Sequence, residues 1–410
     1  MDHKDELHEF HRLSGLRLYH RERKNKEIDE IPIDECYRIA LHFVISWEVA
    51  RESDYDAYSS IMTRTGWHAY ASFAFNLSLE YFQIAVKFAT TQEDKKMLDL
   101  LIIRINYALM NHEQCLELVD EALAKYTTKL DCAKFLAVKA KSLFGLNRLD
   151  EGLDCCFEAL EKLDKHVPSK PEDEPNLYTA LQNELIPNIP SSVTEILKLP
   201  GLPACEDERV LLIHEIFTSM VLPLLLSKRR LLLKYLCFDM VLLMLKFGTS
   251  IYCATPLILV ASYEVCSPSK NLRKSIAYCN YAFSLLHDMS LETNEQFGLA
   301  YRLYCFKIGS LVEPLETISR AYDIYSVSSL ELKSDALIVR FMSLRNSFSW
   351  WFASGLNINQ MMKKFKNFFT FLFSGDDDAD TIKAGQIAYD CAMKYLKELS
   401  GGDGSYALFG

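Results

Sequence analysis

Turn-forming residues are scarce in this chain, with 15 glycines and 12 prolines in 410 residues. A sandwich or barrel draws on them at most strand connections, so the shortage argues against a many-stranded β-fold and for helices. Positive charge is also short. Lys and Arg total 45 against 55 Asp and Glu, a net charge of −10 with a pI near 5.6. That balance excludes a general nucleic-acid binder, which needs a basic face to neutralise phosphates. The basic runs Lys228-Arg229-Arg230 and Lys363-Lys364 with Lys366 are short and lie beside apolar residues, the pattern of a solvated helix face. Twelve cysteines are present, yet no CxxC occurs, so zinc knuckles and thioredoxin-type motifs are not expected. Many fall in apolar helical stretches, where a free thiol packs as a small hydrophobe, as in a reduced, intracellular protein.

Long uninterrupted apolar runs are missing as well. The richest region, Val210 to Phe247, is broken by His214, Glu215, Lys228 to Arg230, Lys234 and Asp239, where a bilayer span needs ~20 apolar residues with few charges. Buried helices are expected there. The first thirty residues carry charge throughout, unlike a secretory signal. What is abundant is core material. Half the residues are hydrophobic, 12% aromatic and 24% charged, a composition that excludes disorder over most of the chain.

The regular feature is a repeat. Ala85, Ala122 and Ala159 recur at 37-residue spacing, with Leu79, Leu116 and Leu153 in the same register and Glu80, Glu117 and Asp154 beside them. Small residues Ser78, Cys115 and Gly152 precede the leucines, and Ala71, Ala108 and Gly145 lie seven positions earlier. Val86, Leu123 and Leu160 follow the repeated alanine, and Phe82, Val119 and Cys156 lie between. Small residues seven apart share a helix face where a neighbour can approach closely, and this period, with small-x6-Ala in the second helix of each pair, predicts tetratricopeptide-type helix pairs. The glycine and terminal proline usual in that type are missing. A fourth copy is expected at Pro314, Leu315, Glu316 and Ala321, and a weaker fifth at Ser275 with Ala282.

Leu7 to Arg23 and Cys36 to Arg51 read as an opening helical pair. Seven of the twelve prolines crowd Val167 to Glu206, predicting a connector with short helices near Leu177 to Leu185 and Ser192 to Leu197. The expected organisation is a helical pair over 1–54, tetratricopeptide-like repeats over 55–166, a proline-rich connector over 167–206, a second helical array over 207–399 and a flexible tail over 400–410.

Chemistry is hard to place. Phosphate-loop, dinucleotide-binding, nucleophile-elbow and protein-kinase motifs are absent. Tyr19-His20-Arg21-Glu22 lies in a charged helix and is no HRD loop. His214-Glu215 begins HExxH, but Thr218 stands where the second histidine is required. His8 and His11, three apart on a charged helix, read as solvated surface. Asp376-Asp377-Asp378-Ala379-Asp380 matches the DDxxD of helical diphosphate enzymes, with Asp376, Asp377 and Asp380 as the magnesium ligands of that alternative. No second metal motif follows, and Gly375 before a helical pattern fits an acidic helix start instead. Trp350-Trp351 with Phe348 and Phe352, and Phe368-Phe369 with Phe365, Phe371 and Phe373, read as core or as an oligomer or domain interface.

Arg64-Thr65-Gly66-Trp67-His68-Ala69 through Leu79-Glu80-Tyr81-Phe82 resembles the first helical pair after the ATPase module of large hybrid sensor histidine kinases. Those fungal and bacterial kinases join a serine/threonine-kinase-like domain, an AAA or STAND-type ATPase, a tetratricopeptide-like array, and GAF, histidine-kinase and receiver domains. Leu153-Asp154-Cys155-Cys156-Phe157-Glu158-Ala159-Leu160 with Val167-Pro168 resembles a repeat helix and its exit. Ile196-Leu197-Lys198-Leu199-Pro200 with Asp207 is similar to the family's connector, and Leu245 to Ser250 to a glycine-containing helix end. The resemblance spans roughly Leu7 to Leu356. The family's catalytic modules have no counterpart in this chain, so it implies no catalytic, cofactor-binding or metal residues. What it implies is an all-α, superhelical tetratricopeptide-like α-solenoid: a non-catalytic, cytoplasmic scaffold binding other proteins or flanking signalling domains, with no cofactor, nucleic acid or membrane.

Overall fold

Thr91 and Thr128, 37 residues apart, each accept a hydrogen bond from the backbone N–H three residues on, Asp94 at 3.0 Å and Asp131 at 3.2 Å. Each satisfies an orphan donor and starts a helix. In a computed structural model, which describes residues 3–24, 26–168, 170, 174–227, 229–266, 271–288, 295–304 and 308, those helices are α5 (Gln92–Ala108) and α7 (Lys129–Gly145). The described residues form an all-helical protein; their only β-type pairing is the isolated bridge Ala204–Thr249.

Two compact units divide the chain, Met1–Ile189 with Pro203–Ser250 and Pro190–Leu202 with Ile251–Gly410. The first opens with α1 (His3–Arg23) and α2 (Ile33–Ser46). Buried Arg12 joins α1 to the start of the next helix by bonding Asp54 at 2.6 Å and Glu9 at 2.7 Å. Three helix pairs follow: α3 (Tyr55–Ala71) with α4 (Phe75–Phe88), α5 with α6 (His112–Lys125), and α7 with α8 (Leu149–Lys162). The first helix of each pair has 17 residues and the second 14, with starts repeating every 37 residues.

The turn inside each pair shows why the pattern lacks its usual glycine. Phe73, Met110 and Asn147 occupy the left-handed region at φ 59, 64 and 60°, a conformation glycine adopts without strain. Each is followed by the same closure, Ala74 N–H to Ala69 O, Asn111 N–H to Asn106 O and Arg148 N–H to Leu143 O, all 2.9 Å. This turn also divides the small residues between the two helices of each pair. Ala71, Ala108 and Gly145 end the first helices, whereas Ser78, Cys115 and Gly152 begin the face of the second, so they share no helix. The stripe that stays on one helix runs through Ser78, Phe82 and Ala85, all buried. It closes against the partner helix through Ser78 Oγ donating to Gly66 O at 2.8 Å and Cys115 Sγ to Ile103 O at 3.6 Å. At Gly66, an added Cβ would lie 2.6 Å from the Phe82 ring, so the helices pack through bare backbone there.

The proline-rich stretch contains α9 (Glu174–Ala180), a π-helical turn Leu181–Leu185, two 3₁₀ turns and α10 (Val193–Ile196), started by a Ser192/Glu195 capping box. Back in the first unit, α11 (Glu208–Leu226) and α12 (Arg230–Phe247) form another pair; α11 packs on α7 and α8. By length and composition α11 could cross a membrane, with mean hydropathy 1.7, but 61% of that apolar stretch is buried in the protein, as in a core helix. The second unit holds α10, α13 (Ala254–Cys266), α14 (Leu272–Asp288) and α15 (Glu295–Tyr304). Within it Ser275 Oγ donates to Ala261 O at 2.8 Å, and Ser275 and Ala282 are both buried, repeating the Ser78–Gly66 closure. The copy at 314–321, the aromatic segment 348–373, the acidic run 376–380 and the tail 400–410 lie outside the described residues.

Candidate interaction face

The 37-residue register aligns Trp67 of α3, Arg104 of α5 and Lys141 of α7. One helical face repeats in the same way seven residues earlier, at Ser60, Met97 and Lys134. On α7 this face is occupied. Lys134 pairs with Glu208 at 2.6 Å and Lys141 with Glu215 at 2.7 Å, joining α7 to α11 by two bonds seven residues apart on both helices. Equal spacing in the same direction makes the two helices run parallel at this contact. Arg104 reaches the same Glu215 carboxylate at 3.7 Å. On α3 and α5 the face is exposed at Trp67 (42%) and Met97 (37%), while Arg104, with 38% of its side chain exposed, already meets α11 through Glu215.

The carboxylate at the centre of this arrangement is strongly desolvated, which raises its pKa. Lys141 and Arg104 outweigh that penalty and hold the Glu215 carboxyl below the usual range. Asp239 provides the contrast. It is equally buried and bonded by Lys165 alone at 2.7 Å, and there desolvation wins, pushing its carboxyl up. One cation does not repay the burial of a carboxylate here, and two do.

Trp67 also belongs to an aromatic group at the end of the first repeat pair. Its ring meets Tyr70 and Phe82 edge-on, each at 5.9 Å. Tyr70 in turn meets Phe75 at 5.7 Å, and Phe73 meets Phe75 at 6.0 Å. Phe73 is 61% exposed while held at positive φ, a bulky residue in a conformation that normally selects glycine.

The other residues weighed for chemistry are structural where they are described. His214 is buried, bonds Ser250 Oγ at 3.0 Å, and burial lowers its pKa to about 4. Thr218, in the position of the missing zinc ligand, donates its hydroxyl to His214 O at 2.9 Å. Tyr19 bonds Asp56 and Arg21 bonds Glu22. Arg229 lies over the Phe157 ring at 5.6 Å. His11 does not pair with His8; its Nδ1 meets His42 Nδ1 at 2.8 Å, which requires one ring to donate and the other to accept. Sequence spacing could not have found that pair, since its members lie 31 residues apart. His112 takes the register position of Phe75 and Leu149, is buried, and has no hydrogen-bond partner at either nitrogen. Among the described residues no group of three or more His, Cys, Asp or Glu is arranged to hold a metal ion. An open depression of about 550 Å³ at the end of α8 is lined by Asp154, Phe157, Glu158, Glu161, His166 and Lys170, among others. It carries a row of carboxylates and no enclosed pocket. Asp376, Asp377 and Asp380 lie outside the described residues.

No family model matches the chain. Over 255 residues, 62% of its length, it is 26% identical to histidine protein kinase 1 of Candida albicans (strain SC5314 / ATCC MYA-2876), and it spans about 10% of the length of that relative. The chain is thus similar, at a distance, to part of a fungal histidine protein kinase.

Proposed function

We propose that this chain is a non-catalytic protein-interaction scaffold in histidine-kinase-linked phosphorelay signalling, built as a tetratricopeptide-like α-solenoid. The observation that carries the reading is the exposure of Trp67 on α3 and Met97 on α5, at the register positions that α7 uses to hold α11. Stacked helix pairs bury one face and leave the other as an extended surface, which suits binding of partner segments better than a reaction on one small molecule. The similarity to a histidine protein kinase supports a place in signalling. In the hybrid kinases that the sequence resembles, such an array joins an ATPase to a sensor-kinase module, and the partners proposed here are flanking signalling domains or separate proteins. The acidic composition and the buried free thiols of Cys36, Cys115 and Cys156 fit a reducing, cytoplasmic setting.

Photo-crosslinking tests the reading. Benzoylphenylalanine placed at Met97 is expected to give discrete protein adducts in cells, while the same group at Glu117, on the exposed side of α6, gives none. Equal labelling from both positions, or none from Met97, removes the interaction face. Incubation of the purified chain with labelled ATP is expected to leave it unphosphorylated; self-phosphorylation would overturn the non-catalytic assignment.

A further inference from the structure

The outward side of α1 carries an ordered stripe. From Phe10 to His20 the exposed residues of this helix are Phe10, Leu13, Arg17 and His20, and Glu6 is exposed one turn before them. Alternating steps of four and three keep these side chains in one line along the helix, the spacing of a two-helix seam. The opposite side of α1 is already committed. Arg12, Gly15 and Tyr19 are buried, and a Cβ on Gly15 would lie 2.6 Å from the Phe43 ring of α2. The stripe itself is open, with Phe10 62% and Leu13 41% exposed, and Leu7 beside it is also exposed. Charge is sorted along the same helix: Asp5 and Glu6 stand in the first turn, His20, Arg21 and Arg23 in the last. Glu6 meets His3 only at 3.9 Å. Among the described residues Arg17 takes no part in the ion pairs of α1.

Turned end for end about the midpoint between Phe10 and Leu13, this stripe complements itself. Phe10 falls opposite Leu13 and Glu6 opposite Arg17, each pair occurring twice. From this we infer that the chain self-associates through α1, as a two-fold antiparallel helix pair with a second copy. Phe10 and Leu13 of both copies form the centre, and a Glu6–Arg17 pair closes each end. Such a contact is isologous, so every residue of the stripe is used on both sides. Burial of the exposed apolar side chains supplies the attraction. The charges set direction and register, because a parallel pair would place Glu6 on Glu6 and Arg17 on Arg17. A single helix seam is small, so the dimer belongs to the weak, reversible class. It stands apart from the interaction-scaffold reading, and neither depends on the other.

Sedimentation velocity of the full chain, from micromolar to sub-millimolar concentration, provides the test. The sedimentation coefficient is expected to rise with concentration from that of a monomer towards that of a dimer. Phe10→Ser should weaken the dimer at least about tenfold, since it empties the centre of the seam on both copies. Glu6→Arg alone and Arg17→Glu alone should each weaken it at least about fivefold, because each sets like charges together at both ends. Mixing those two single variants should restore association, since opposite charges then meet at both ends of the mixed pair. The double variant Glu6→Arg with Arg17→Glu should recover it within one chain. All three positions are exposed, and far-UV circular dichroism checks that each variant keeps its helices. If Phe10→Ser loses helix, the charge exchange decides the matter. A monomer at every concentration, a dimer indifferent to Phe10→Ser or to the single charge reversals, or no recovery in the mixture overturns the inference.

Discussion

Lys141 on α7 donates to the Glu215 carboxylate on α11 at 2.7 Å, across 74 residues of sequence. This bond, with Lys134–Glu208 beside it, brings the chain back onto its third repeat pair after the proline-rich stretch. Its energetics follow from burial, since Glu215 has only 13% of its side chain exposed.

Lys141→Met should therefore cost about 3–5 kcal/mol, because it leaves a desolvated carboxylate with only the more distant Arg104. The double change Lys141→Met with Glu215→Leu should restore most of the loss, since apolar replacement of both partners of a buried pair is often near neutral. Urea unfolding of the two variants measures the difference. A single variant as stable as the wild type would show that Glu215 is hydrated in solution.

His112 occupies a position that is phenylalanine and leucine in the neighbouring pairs, with both ring nitrogens unsatisfied. His112→Phe keeps an aromatic ring against Gly145 and removes buried polar atoms, and is expected to stabilise the protein by about 1–3 kcal/mol. Gly145→Ala should do the opposite, because its Cβ would fall on the His112 ring. Thermal melts that place the two variants in the reverse order would contradict this account.

Acid should weaken the first unit. Burial lowers the pKa of His112 and His214, the latter to about 4, and burial aided by His11 and Arg38 lowers that of His42. A histidine held neutral in the folded state contributes stability that is complete above its unfolded pKa near 6.5 and is lost as pH falls through the folded value. For His214 alone the effect approaches about 3 kcal/mol by pH 4. Glu215, also lowered, adds to the loss below the carboxylate range, while the raised carboxyl of Asp239 opposes it. Unfolding free energy measured from pH 7.5 to 4 should fall, most steeply below pH 6.5. A flat or rising profile would sink the assignment.

Phe73→Gly tests the strained turn. At φ 59° a bulky residue is disfavoured by about 1–2 kcal/mol, and Phe73 buries little that glycine would lose. The change should stabilise by about 1 kcal/mol, whereas Asn147→Gly, at φ 60°, should be nearly neutral because asparagine tolerates this conformation. Equal effects at both sites would mean that the strain is relieved elsewhere.

The helical class, the 37-residue period and the small stripe through Ser78, Phe82 and Ala85 are legible in the sequence alone, because they follow from contacts within a helix or between consecutive helices. The equivalence of Ser275 and Ser78 is legible for the same reason. Tertiary structure alone decided where the chain turns: Phe73, Met110 and Asn147 replace the expected glycine, and so Ala71 and Ser78 fall on different helices. It also decided the long-range partners. Lys141 and Glu215 meet because α11 packs on α7, and His11 meets His42 because α1 packs on α2. Periodicity marks which face of a helix is buried, but which side chain lies opposite depends on how the pairs stack, and no local spacing encodes that.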